Sequence, residues 1–243
     1  MKKLLLGIAA VCLAGFTFAQ DAPLWMRHSV ISPDGTTIAF TYKGDIYTVP
    51  VAGGRAMQIT TNPAYDTAPV WSPDSKRIAF ASDRMGSLDV YIVAKDGGEP
   101  RRLTTHSGSE TPLAFTDAGH VLFSAGIMPS AEAVVFPSNG QFNQVYRVSV
   151  EGGRPTMISS MPMECISINK EGAMLYQDKK GYEDYWRKHH VSPIARDIWM
   201  YTPGKEPQYR QLTTFGGEDR EPVWAPDGKT FYYLSEENGS FNI

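Results

Sequence analysis

Cysteine is nearly absent from this chain: two residues in 243, Cys12 and Cys165. Cys12 lies inside the apolar N-terminal stretch, so removing that stretch leaves a single thiol and no internal disulfide. Val11 is too bulky for the residue before a lipoprotein cysteine, which argues against acylation there. Cys165 reads as a small, buried apolar residue beside a strand. An excess of positive charge is missing too. Lys and Arg total 23 against 26 Asp and Glu, the net charge is −3, and no basic stripe appears, so nothing argues for nucleic acid. No serine stands in a Gly-x-Ser-x-Gly elbow. The histidines His28, His106, His120, His189 and His190 have no spacing that implies a catalytic triad. His189 and His190 are adjacent, and successive side chains on an extended strand point to opposite faces, which argues against one shared metal. No catalytic residue, metal or cofactor is therefore expected.

The N-terminus has the layout of a secretory signal peptide over residues 1–19. Lys2 and Lys3 form the charged start, Leu4–Phe18 the apolar core, and Thr17 and Ala19 the small residues before a cleavage site near Ala19. The apolar run is shorter than the ~20 residues a membrane span needs. Export without a disulfide framework suits a periplasmic or secreted bacterial protein, with no membrane span left after cleavage.

What is abundant is repetition. Val70-Trp71-Ser72-Pro73-Asp74-Ser75 followed by Arg77-Ile78-Ala79-Phe80 reads as strand, tight turn, strand. Pro presets φ for the second turn position, and Ser and Asp can hydrogen-bond the local backbone. The phrase returns at Ile31–Phe40 and Trp224–Tyr233, and in weaker form at Phe115–Phe123 and Ser167–Tyr176. Equivalent positions 33, 73, 116, 169 and 226 are spaced by 40, 43, 53 and 57 residues, a propeller-blade period. A third strand follows each hairpin (Asp45–Val49, Asp89–Val93, Gln144–Val148, Asp197–Tyr201). Then comes a glycine turn (Gly53-Gly54, Gly97-Gly98, Gly152-Gly153, Pro203-Gly204), expected to supply the positive φ of a two-residue hairpin. Ile59-Thr60-Thr61, Leu103-Thr104-Thr105, Ile158-Ser159-Ser160 and Leu212-Thr213-Thr214 are expected as fourth strands.

The fold expected is all-β: a β-propeller of four-stranded antiparallel blades over residues 20–243. Blades one to four span 25–61, 70–105, 113–160 and 166–214. Pro222 opens a fifth that stops before its outer strands, so the propeller is expected to be incomplete at the C-terminus, a piece of a longer protein. Trp71 and Trp224 are expected buried at equivalent positions. Asp34, Asp74, Asp117 and Asp227 recur as turn formers rather than as a site. Phe40, Phe80, Phe123, Tyr176 and Tyr233 share one strand position and read as packing between blades.

The connection from second to third strand lengthens to 124–144 and 177–197 in blades three and four. Loops this long in a compact domain are usually functional or disordered. Antiparallel alternation puts both on one face, with the links between blades, and puts the Pro-Asp and glycine turns on the other. Tyr182, Tyr185, Trp186, Arg187, His189 and His190, beside Phe136, Phe142 and Asn143, therefore gather as a candidate contact surface, since aromatics and Arg dominate binding energy. The alternative is a folded-back loop whose Trp186 caps the rim.

The Ser-Pro-Asp-Gly, Ile-Ala-Phe, Gly-Gly and Leu-Thr-Thr phrases resemble the repeats of TolB-type propellers over essentially all of 25–243. The narrower pattern Trp186-Arg187-Lys188-His189-His190, then Arg196-Asp197-Ile198-Trp199, is similar to the N-terminal propeller of bacterial tricorn-type serine peptidases. That resemblance implies six blades in the full protein and downstream domains that carry the catalytic serine. It implies a non-catalytic portion of a secreted tricorn-like peptidase, gating or binding peptide or unfolded polypeptide. Thr116 and Asn169 depart from the pattern by replacing the turn proline. A TolB-like periplasmic binding module without a catalytic domain is the alternative, and a prolyl-oligopeptidase-type propeller a third reading.

Overall fold

Each Pro-Asp phrase closes a tight turn whose polar side chains bind its own backbone. The Gly35 N–H donates to the Ser32 carbonyl at 2.8 Å, the Ser32 hydroxyl donates to Asp34 at 2.6 Å, and the Thr36 N–H donates to the same carboxylate at 3.0 Å. Asp74 and Asp227 repeat the arrangement with the backbone at Lys76 and Lys229. Asp34, Asp74 and Asp227 are thus satisfied locally. The fourth turn position needs a left-handed φ, met by Gly35, Gly172 and Gly228, and in blade two by Ser75 at φ 57°.

The computed structural model describes residues 25–126, 143–180 and 191–243; the leader 1–19 lies outside them. Those residues form no helix and assemble into four four-stranded sheets and one two-stranded sheet. Blade one is β1 (Arg27–Ile31), β2 (Thr37–Tyr42), β3 (Asp45–Pro50) and β4 (Met57–Gln58). Blade two is β5 (Asp66–Trp71), β6 (Arg77–Ser82), β7 (Asp89–Ala94) and β8 (Arg101–Arg102). Blade three is β9 (Glu110–Asp117), β10 (His120–Ala125), β11 (Gln144–Ser149) and β12 (Thr156–Ser159). Blade four is β13 (Met163–Ile168), β14 (Met174–Asp178), β15 (Ile198–Thr202) and β16 (Gln208–Gln211), and β17 (Asp219–Trp224) with β18 (Phe231–Ser235) makes the two-stranded sheet. Strands pair antiparallel in chain order within each sheet. First strands of successive blades touch one another, β1 with β5, β5 with β9, β9 with β13 and β13 with β17, so they line the axis.

The core lies between blades. Ile46, Ile59, Trp71, Ile78, Phe80 and Tyr91 fill the first junction; Val90, Leu103, Phe115, Phe123 and Tyr146 the second; Leu122, Val145, Met174 and Tyr176 the third. The repeated aromatic of the second strand faces an aromatic of the third, Phe40 on Tyr47, Phe80 on Tyr91 and Phe123 on Tyr146, with centroids 5.6–5.9 Å apart, an offset stack of the favoured kind.

Four expectations need correction. First strands begin three or four residues earlier than Val70, Leu113, Ile166 and Pro222, because Pro69, Pro112 and Pro222 sit inside strands at bulges. The fourth strands are Met57–Gln58, Arg101–Arg102, Thr156–Ser159 and Gln208–Gln211, and the Leu-Thr-Thr phrases mostly follow them. The glycine pairs do not form two-residue turns. Gly53, Gly97 and Gly152 close turns begun at Pro50, Ala94 and Ser149, each N–H donating to that carbonyl at 2.8–2.9 Å. Trp71 is 6% exposed, but Trp224 is only half-buried. Both indole N–H groups reach the preceding blade, at Val30 O and Ala173 O.

Candidate functional site

The contact residues expected from sequence, Tyr182, Tyr185, Trp186, Arg187, His189, His190 and Phe142, lie outside the described residues, as does Phe136. Their attachment points are described. Ala125 pairs with both Gln144 and Glu110, and Asp178 pairs with Met163. Both connections therefore leave from the end of the blades where the first strands begin. The described ends of 177–197 are tied down ionically. Arg196 bridges Glu218 at 3.1 Å and Glu164 at 3.6 Å, Lys179 meets Glu164 at 3.1 Å, and Lys180 binds Asp197.

The axial wall carries a feature the sequence reading missed. In every first strand two residues oppose a single partner, the repeated aromatic of the second strand. They are His28-Ser29 opposite Phe40, Ala68-Pro69 opposite Phe80, and Pro112-Leu113 opposite Phe123. Cys165-Ile166 oppose Tyr176, and Glu221-Pro222 oppose Tyr233. These are β-bulges, which bend a strand and raise its twist. Their first residue is left-handed at His28, Ala68, Cys165 and Glu221, with φ of 50–54°. Blade three escapes because Pro112 holds that place and its ring forbids positive φ. An Ala-Pro, Thr-Pro or Glu-Pro step before the blade's Trp or Phe was the available signal.

Cys165 is exposed, not buried as expected, and holds the left-handed first position of its bulge, outside the ladder. It is nevertheless crowded by protein, and that desolvation, with Glu221 and Glu164 adding, pushes its thiol up to about 11. It is a protonated, weakly reactive thiol at neutral pH.

Beyond the bulges the wall turns apolar. Val30, Ile31, Val70, Leu113, Ile166 and Ile168, from four first strands, line an axial funnel of about 600 Å³ that opens between the Pro-Asp turns. Hydrogen bonds from blade to blade hold its rim. Asp34 N–H donates to the Ser75 hydroxyl at 3.1 Å, Arg77 to the Ala118 carbonyl at 2.5 Å, and Asn169 to the Gly228 carbonyl at 3.1 Å.

At the opposite end three of the four junctions are acidic. Asp66, Glu110 and Asp219 open β5, β9 and β17, all buried. Each faces the acid that starts or precedes the third strand of the blade before, namely Asp45, Asp89 and Asp197. Arg84 holds Asp66 at 3.0 Å, Arg102 holds Asp89 at 2.8 Å, and Lys180 holds Asp197. Burial above all pushes Glu110 up to about 7 and raises Asp45 and Asp219. At the third junction Gln144 and Met163 stand in the same places, and no acid pair forms. Among the described residues no group of His, Cys, Asp and Glu is arranged to hold a metal ion.

Residues 23–243 match the family described as the tricorn protease N-terminal beta propeller domain. Among curated relatives, Tricorn protease homolog 1 of Streptomyces coelicolor is 24% identical over 220 residues, covering 90% of this chain and 19% of that protein. The crystal structure of the tricorn protease aligns with TM-score 0.68 at 18% identity, over 90% of this chain and 21% of that one. A putative TolB from Agrobacterium tumefaciens aligns with TM-score 0.67 at 17% identity, over 88% and 71%. The chain thus spans about a fifth of the tricorn relatives it matches.

Proposed function

This chain belongs to the tricorn protease N-terminal beta propeller domain family, and from that premise we propose that it is the non-catalytic propeller of a secreted tricorn-like serine peptidase, binding unfolded polypeptide along its axis. Catalysis then falls to other domains of the parent protein. The charged-then-apolar layout of residues 1–19, read as a signal peptide cleaved near Ala19, supports export. The observation that carries the reading is the apolar funnel. Polar turns surround it, yet its wall is mainly apolar, with Trp71 and Phe115 beside the aliphatic side chains. An extended apolar segment gains by leaving water there, at about 25 cal/mol per Å² buried. The connections 124–144 and 177–197, whose described ends lie away from the funnel, are assigned contact with peptide or with the next domain, through Phe142, Tyr182, Tyr185, Trp186, Arg187, His189 and His190.

The test is binding of fluorescein-labelled, reduced casein by fluorescence anisotropy. Ile31 is 55% exposed on the funnel wall, so Ile31→Asp leaves the core intact. It should weaken casein binding by about tenfold, roughly the loss of one buried aliphatic side chain. Val51→Asp, exposed on a glycine turn of blade one, should not. Equal affinity for wild type and Ile31→Asp would defeat the reading. A TolB-like module is the second reading, favoured by the 71% coverage of the TolB chain. It expects a folded partner to compete with casein.

A further inference from the structure

On the face opposite the funnel, the edge of blade one holds a cleft of about 500 Å³ lined by Trp25, Arg27, Lys43, Gly44 and Tyr65, among others. Three pieces of chain build it. β1 brings Arg27, the turn between β2 and β3 brings Lys43 and Gly44, and the link into β5 brings Tyr65. Lys43 at φ 52° and Gly44 at φ 89° make a two-residue turn with both positions left-handed. Such a turn matches the twist of its strands and presents its first residue rigidly.

Aromatic faces steady both cations. The Arg27 guanidinium lies 5.2 Å from the Trp25 ring centroid, and the Lys43 ammonium 5.3 Å from that of Tyr42. Neither cation forms an ion pair among the described residues. The nearby carboxylates are committed elsewhere. Asp45 accepts from Gln58 and Thr60, Asp66 holds Arg84, and Asp83 accepts the Tyr65 N–H at 2.8 Å. In a chain of net charge −3, two cations that form no ion pair among the described residues thus share one concavity. Its aromatic walls are open to solvent, Trp25 at 74% and Tyr65 at 43%.

We infer that this cleft binds an acidic, extended polypeptide segment, carboxylates on Arg27 and Lys43 and the intervening stems against Trp25 and Tyr65. Arg27 offers the planar fork that fits a carboxylate with two hydrogen bonds. Lys43 offers a point charge on a fixed turn. Trp and Tyr side chains supply contact area at little entropic cost, having only two χ angles each. The cleft and the funnel open on opposite faces, so this inference stands whether or not the funnel binds casein.

The experiment uses the full chain and a fluorescein-labelled polyglutamate peptide, with polyglutamine and polylysine peptides of equal length as controls. Anisotropy should rise on titration with polyglutamate alone, and added salt should weaken that binding because the pairs are exposed. Arg27→Glu combined with Lys43→Glu should lower affinity at least about tenfold, two attractions having become repulsions. Trp25→Ala should lower it about threefold at unchanged salt dependence. If the double reversal fails to give the wild-type circular dichroism spectrum, the milder Arg27→Gln and Lys43→Gln variants carry the same comparison. Equal binding of polyglutamine, absence of saturable polyglutamate binding, or affinity indifferent to both charge changes would each overturn the assignment.

Discussion

Glu110 shows how a single buried side chain sets a pH dependence. It is 0% exposed at the start of β9. Desolvation first, then the charge of Asp89, push its carboxyl up to about 7, and neither carboxyl oxygen has a hydrogen-bond partner. Arg102 faces the same pocket but is engaged with Asp89. The folded pKa lies above the ordinary 4.5, so the folded state keeps a proton that the unfolded chain has released. Stability from this group is therefore greatest below pH 4.5 and falls as pH rises through about 7. Glu110→Gln should flatten that fall: measured by thermal melts at pH 5 and pH 8, the variant should lose less stability between them than wild type. Parallel losses would mean Glu110 does not titrate in this window. The turn aspartates behave oppositely. Asp34 is held at about 2, first by the Ser32 hydroxyl and then by Thr36, which agrees with the structural role its repetition suggested. Local bonds within four residues are legible in sequence. The exposure of Cys165 was not, because its place in a bulge is set by strand pairing.

At the scale of the element, the Leu-Thr-Thr phrase is a clasp. The Thr60, Thr104 and Thr213 hydroxyls accept the N–H of Ile46, Val90 and Ile198 at 2.9–3.0 Å. Each thereby satisfies a donor where the third strand begins, next to the buried acid pairs. Thr104 is buried. Thr104→Val keeps the shape and strands the Val90 N–H away from water, which should cost about 1–3 kcal/mol in a denaturant melt. A loss under about 0.5 kcal/mol would show that another acceptor takes over. Strand identity and order were legible here, because alternation, turn residues and spacing all recur. Strand limits were not. Pro69, Pro112 and Pro222 read as boundaries, since proline removes a ladder donor. A bulge leaves one residue unpaired and absorbs that loss.

For the whole molecule, the expectation of an all-β propeller holds, and the chain supplies an axial funnel on one face and a cationic cleft on the other. No nucleophile with a base at usable spacing stands in the sequence. The purified chain should therefore leave casein and short fluorogenic peptides uncut, and cleavage that a serine-directed covalent inhibitor abolishes would contradict this. Sequence alone determined the blade architecture, the antiparallel order, the face from which the long connections leave and the structural role of the Pro-Asp turns. Each of these follows from periodicity and local backbone chemistry, which act over a few residues. Tertiary structure decided the bulges, the apolar funnel, the buried acid pairs and the pairing of Arg27 with Lys43 across one cleft. Those features join residues from different strands or blades, and their burial and charge depend on contacts that no spacing along the chain records.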